Sequence, residues 1–341
     1  MRFDNFIGNL KIIERLRQKL REGRFPHALI FTGPEGVGKR TCALMIAKAL
    51  NCSNSGPDDF CEECSQCRKI DAGTHPDVLT LGIEEDASEI KIVQIRSLLR
   101  TLELRPLEGA NKVFIIDPAD AMNPASANAL LKGLEEPPDN SYFILLSPNP
   151  QSLLITVRSR SQTYPFIPLT LAEMRTFSDS AQPSNYDELA LRWSRGSIGN
   201  LKTLDLEALR ERRAIALDFL ETATRASNEE FRSLIGASAD LSRSKGDFEP
   251  NMNTIAILVE DLLYLREGLA GRIVNIDLET ELSRLAAEIA PAQFVRIADF
   301  LRTIEIHANN YGNRQMLTDM LALTSNAAVG KLADDIPAKS R

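Results

Sequence analysis

Gly33-Pro34-Glu35-Gly36-Val37-Gly38-Lys39-Arg40-Thr41 is the stretch on which the reading of this sequence turns. The pattern G-x-x-x-x-G-K marks a phosphate-binding loop, in which backbone amides and a helix N-terminus cradle an anion and the lysine places positive charge near the β and γ oxygens of a nucleotide. Immediately before it, Ala28-Leu29-Ile30-Phe31-Thr32 is a short apolar run suited to a buried parallel strand, and a helix is expected from about 39 to 51. That context, strand before and helix after, makes the motif specific. One part is missing. The residue after the lysine should be Ser or Thr, whose hydroxyl binds Mg²⁺, yet Arg40 stands there and Thr41 comes one place late. Gly33, Gly36, Gly38, Lys39 and Thr41 are therefore candidate nucleotide-site residues, Thr41 serving only if the helix start shifts in register.

Further apolar runs, Val78-Leu79-Thr80-Leu81, Lys112-Val113-Phe114-Ile115-Ile116, Tyr142-Phe143-Ile144-Leu145-Leu146 and 162–166, read as strands. Helical patterns separate them: 9–22 with Asn9 as its N-cap, a face of Ile92, Ile95, Leu98, Leu99 and Leu102, and 125–134. Strands alternating with helices imply βαβ units and a parallel sheet. The third run ends at Asp117, where a carboxylate would hold Mg²⁺ through water. Pro118 follows in place of a water-polarising glutamate, and proline has no proton-accepting group. Losing such a base costs about 10²–10⁴ in rate. The sequence thus keeps the fold of a nucleotide switch and lacks most of its hydrolytic machinery. Whether ATP and Mg²⁺ occupy the site is left open.

From 169 to 204 only short helical pieces are expected, interrupted at 178–185, and beyond about 207 no convincing strand appears and long segments read as helices, at 214–224, 254–268, 278–289, 292–308 and 316–323. A tail at 329–341 reads as disordered. A length of 341 residues suits two or three domains, and 43% hydrophobic with 26% charged residues is ordinary for a globular chain. No apolar run of about 18 residues suggests a membrane span, and the polar start shows no signal peptide, so a cytoplasmic location is the default expectation. A net charge of −7 argues against a broad basic face for nucleic acid, though not against a local strip.

Four of the five cysteines fall in one loop, Cys52, Cys61, Cys64 and Cys67, as C-x8-C-x2-C-x2-C. Four thiolates close a tetrahedral Zn²⁺ site with no open catalytic position. An iron–sulfur cluster is the chemical alternative. The polar flanks, including Asp58, Asp59, Glu62 and Glu63, favour structural zinc and weigh against a zinc module that binds DNA. Cys42, in the helix after the loop, reads as a small core residue.

Three segments then converge: 25–34 (FPHALIFTGP), 126–138 (SANALLKGLEEPP) and Arg158-Ser159-Arg160. Together they resemble the bacterial sliding-clamp loaders of the AAA+ superfamily, and within these the delta-prime class of DNA polymerase III subunit. The resemblance covers nearly the whole chain and is strongest from about 5 to 167. It implies a RecA-like AAA+ domain at 1–167 (α/β, a parallel sheet flanked by helices) with an inserted zinc module at about 52–67, a helical lid at 168–207 and an all-α collar at 208–328. The family's Ser-Arg-Cys motif is matched by Ser159-Arg160-Ser161, which makes Arg160 the expected arginine finger, supplied in trans to a neighbour's ATP. Fingers of this kind contribute about 10³–10⁵ in rate. The implied partners are gamma/tau motor subunits and a delta subunit in a heteropentamer, with the sliding clamp and primer–template DNA met through that assembly. Pro148 and Asn149 fall where motors sense the γ-phosphate, and Gly199 where they carry a second sensing arginine. The resemblance also places the segment around His27 near an adenine pocket. The alternative is a self-sufficient AAA+ ATPase, which needs the hydroxyl and carboxylate this sequence lacks.

Overall fold

A computed structural model describes residues 2–54, 56, 58–85, 87–181, 186–225, 231–242, 248–307 and 314–326. The tail expected at 329–341 lies outside the described residues. The apolar runs form one parallel sheet of β1 (Ala28–Thr32), β2 (Val78–Leu81), β3 (Lys112–Ile116), β4 (Ser141–Ser147) and β5 (Gln162–Pro165), in the order β2-β3-β4-β1-β5. Their side chains alternate between two cores. Leu29, Phe31, Ile115, Ile144 and Leu146 join the layer built by α1 (Leu10–Arg21), α2 (Lys39–Asn51) and α3 (Ser65–Asp71). Ile30, Phe114, Ile116, Phe143 and Leu145 join that of α4 (Ile92–Leu102), α5 (Pro124–Glu135) and α6 (Ile155–Arg158). Burial on both faces is why β1 and β3 read as unbroken apolar runs rather than as alternating ones.

Two local features differ from expectation. Asn9 does precede α1, but in the left-handed region at φ 52° and without capping it. Its amide instead grips the chain after β5: Ile167 N–H donates to Asn9 Oδ1 at 2.9 Å and Asn9 Nδ2 donates to Ile167 O at 3.0 Å. Asparagine is among the few side chains that enter this region readily. The cysteine loop also carries a short helix, α3, for which the sequence shows no periodic pattern. Cys64 caps it, its Sγ accepting from Cys67 N.

The chain divides into two compact units, Met1–Tyr186 with Ser194–Thr203, and Asp187–Trp193 with Leu204–Arg341. The first is the sheet unit, extended by α7 (Leu171–Ser180); α8 (Glu188–Trp193) belongs to the second, and α9 (Ile198–Thr203) to the first. The remaining helices of the second unit are α10 (Leu206–Arg225), α11 (Phe231–Ser242), α12 (Phe248–Arg266), α13 (Glu279–Glu288), α14 (Pro291–His307) and α15 (Arg314–Ser325). Its described residues contain no strand, as the sequence indicates. They close around Phe219, Leu258, Leu262, Leu285, Phe294 and Leu321. Within this core Asp261 is fully buried and fully used, accepting from Val274 N and Asn275 N at 2.8 Å and from Asn275 Nδ2 at 2.6 Å. Three donors on one carboxylate offset the cost of burying it.

Candidate functional site

Loops leaving the carboxyl ends of β1, β3 and β4 meet around a cleft of about 440 Å³, the position at which parallel sheets bind ligands. Residues 35–41 form one wall, Asp117, Pro118, Leu146 and Pro148 another, and Phe6, Phe177, Gly199 and Lys202 complete it. The candidates Gly36, Gly38, Lys39, Thr41 and Asp117 are thus brought together, with Gly33 at the root of the loop. Phe6, Phe177 and Lys202 lie outside the motif and carry no spacing signal that would have singled them out.

The loop is clasped from above by α9. Gly199 N donates to Gly36 O at 3.0 Å, and a Cβ on Gly199 would lie 2.7 Å from Gly36 Cα. Gly36 itself has φ +71°, and a Cβ there would meet Ser197 Oγ at 2.2 Å. Glycine at 199, where an arginine stands in motors of the family the sequence resembles, is therefore a packing requirement here. No side chain fits between the two backbones.

Lys39 and Arg40 both have partners at the cleft. Lys39 is buried, and its ammonium donates to the carbonyls of Gly33 and Pro34, the latter at 2.6 Å. Burial holds its pKa below the ordinary lysine value, against the opposing pull of Asp117. Arg40, in the first turn of α2, reaches across to Asp117, Nη1 to Oδ2 at 3.1 Å. Thr41 is exposed and lines the same cleft, with the helix starting at Lys39 and no shift of register. A Mg²⁺–nucleotide complex takes a hydroxyl directly after the lysine and a carboxylate at the strand end; Arg40 stands in the first place, and its half-exposed guanidinium pairs with the second. The usual ligand set for Mg²⁺ is therefore incomplete here, lacking the hydroxyl at position 40. Pro118 follows Asp117 through a cis peptide bond. Asn149 is also committed, its Oδ1 accepting from Gln151 N at 2.9 Å to cap the turn at Pro150–Ser152. His27 does not line the cleft. It precedes β1, at the strand end away from the loop, with Nε2 3.2 Å from Leu134 O.

Arg160 lies elsewhere on this unit, just past α6. Its Nη2 sits 2.6 Å from Glu135 Oε1, and its Nη1 donates to Thr156 O at 3.0 Å.

The cysteines do converge. The Sγ atoms of Cys52, Cys61, Cys64 and Cys67 all lie within 4.8 Å of one another. Backbone amides point at them: Cys61 N to Cys52 Sγ and Cys64 N to Cys61 Sγ, both at 3.3 Å. For Cys64 burial pushes the thiol pKa up, but amide hydrogen bonds, chiefly from Cys67 and Ser53, bring it down to about 6. Four sulfurs at this spacing, with amides that stabilise thiolate charge, fit a tetrahedral metal ion. Cys42 is buried in the core, as expected, and burial raises its thiol pKa strongly.

Comparison with known proteins agrees with the motifs. The family described as DNA polymerase III, delta subunit, matches residues 8–170. DNA polymerase III subunit delta' of Bacillus subtilis is 26% identical over 317 residues, spanning 91% of this chain and 95% of that protein. The delta' subunit of Pseudomonas aeruginosa is 36% identical over 192 residues, 55% of this chain and 58% of its own length. Subunit tau of B. subtilis is 36% identical over 169 residues, covering 50% of this chain but 30% of tau. Similarity to this tau spans about half of the chain, as does that to the P. aeruginosa delta' subunit, whereas similarity to the B. subtilis delta' subunit spans 91% of it. The resemblance to bacterial clamp loader subunits stands, and it is of the delta' kind. Among the described residues, no helix is long and apolar enough to cross a membrane.

Proposed function

We propose that this delta-prime-like chain is a stator-like subunit of the DNA polymerase III clamp loader, helping to load a sliding clamp onto primer–template DNA without turning over ATP in its own cleft. The observation that carries this reading is the Arg40–Asp117 pair at 3.1 Å. Arg40 stands where a motor carries its metal-binding hydroxyl and sets a positive charge beside the carboxylate of Asp117, and the position of the catalytic base belongs to Pro118. The clasp of Gly199 on Gly36 supports the same reading, since it leaves the loop braced rather than open to a sensing side chain.

The contribution to catalysis is then made in trans. Arg160 presents its guanidinium to the triphosphate held by a gamma/tau-type neighbour and stabilises charge building on the γ-phosphate, an effect of about 10³–10⁵ in rate at that site. Residues 168–207 serve as the lid and 208–328 as the collar that joins a heteropentamer with motor and delta subunits. Cys52, Cys61, Cys64 and Cys67 hold structural zinc, which cross-links the loop between α2 and α3.

Reconstitution with gamma/tau and delta subunits tests this. Arg160→Ala should lower DNA-stimulated ATP turnover while gel filtration shows the same assembly. Unchanged turnover refutes the finger, and appreciable Mg²⁺-dependent turnover by the chain alone refutes the stator.

A further inference from the structure

We infer that Glu135 is a positioning residue for Arg160, holding the guanidinium in cis as a resting counter-ion that a neighbour's triphosphate must displace. The inference rests on the finger reading above.

Glu135 is the last residue of α5, and Arg160 follows the last turn of α6. The carboxylate lies 2.6 Å from Nη2, while Nη1 donates at 3.0 Å to the Thr156 carbonyl. Anchors on two different nitrogens, from two different helices, fix the plane of the guanidinium as well as its position. Among the described residues Glu135 has no other ion-pair partner. The two side chains are 36% and 47% exposed. A pair so exposed biases an equilibrium by roughly two- to five-fold. That is enough to set the resting orientation and too little to resist a triphosphate, which carries more negative charge than one carboxylate and is met where less water screens it. Glu135 therefore withholds the finger until a phosphate is presented, and weakens the hold of the assembly on ATP by the strength of the pair.

The test is steady-state ATP turnover by the reconstituted assembly, with KM and kcat resolved separately. Glu135→Gln keeps the shape and removes the counter-charge, so the KM for ATP should fall roughly two- to five-fold, by more than kcat changes. The difference should shrink as ionic strength rises. Glu135→Asp, which keeps the charge, should shift KM less than Glu135→Gln. In an Arg160→Ala background Glu135→Gln should have no effect. An unchanged KM in Glu135→Gln, or the same shift when Arg160 is already gone, overturns the inference. The two readings fail separately. If Arg160→Ala alone leaves turnover intact, the finger falls and Glu135 with it; if Arg160→Ala lowers turnover but Glu135→Gln leaves KM unmoved, only the counter-ion role falls.

Discussion

Gly199→Ala puts the clasp over the phosphate loop to a test of sign. A methyl group at 199 would lie 2.7 Å from Gly36 Cα, inside any real carbon contact, and the opposing atom is backbone that cannot rotate away. Three effects compete. Alanine in a helix is favoured over glycine by up to about 1 kcal/mol, and by less in the first turn of a six-residue helix such as α9. Overpacking costs about 1–3 kcal/mol. Displacing the Gly199 N–H from the Gly36 carbonyl, now 3.0 Å away, loses about 1 kcal/mol more. The balance is a net loss of about 2 kcal/mol, which lowers the unfolding temperature of a unit of this size by roughly 4–8 °C. Scanning calorimetry of the purified chain measures it, following the transition of the sheet unit separately because two units need not melt together. Gly36→Ala should cost more, since positive φ adds strain to a Cβ contact of 2.2 Å. A Gly199→Ala variant that melts at the same or a higher temperature refutes the close approach, and with it the argument for glycine at that position.

Two further outcomes are expected. Asp77 is buried, which by itself raises its carboxyl pKa, but amide donors from Gly109, Glu108 and Leu107 outweigh this and leave the pKa below the ordinary value. A depressed folded pKa gives stability that is complete above the unfolded value of about 3.9 and is lost as pH falls through the folded one. Asp77→Ala should therefore cost about 3 kcal/mol in urea unfolding at pH 7, with the gap to wild type narrowing below about pH 4; a gap independent of pH contradicts the role of charge. The purified chain should carry about one zinc ion, which elemental analysis would detect, and Cys64→Ser should lower that content and loosen residues 52–67 to proteolysis. Iron with visible absorption would favour a cluster instead.

The fold was legible wherever burial leaves a periodic trace. β1 and β3 begin and end where their runs do, because a parallel strand covered on both faces buries every position and shows no alternation to confuse the pattern. The phosphate loop and the four cysteines were equally plain, since glycine turns and thiolate ligands fix residue type at fixed spacing. Contacts made by backbone or by distant partners were not. Asn9 looks like a cap and is one in position only, because its amide is better used on Ile167. The pairing of Arg40 with Asp117 joins residues 77 apart in sequence, and that of Arg160 with Glu135 joins two motifs that the chain presents separately. Helix α11 leaves little periodic trace for a related reason: between stronger patterns, Phe231–Ser242 includes Gly236 and several serines, weak helix formers that packing commits to a helix.

Helix α2 runs from Gly38, which opens it at the phosphate loop, to Cys52, which closes it at the sulfur cluster. Thirteen residues make a rod of about 20 Å. Near its far end Lys48 is almost wholly enclosed, bonded to Asp71 at 2.5 Å and lying 5.1 Å over the ring of Phe60. The cysteine module is thus bolted to one tip of a strut whose other tip aims Lys39 and Arg40. One continuous helix joins the four sulfurs to the floor of the cleft, so the module shares its main support with the phosphate loop.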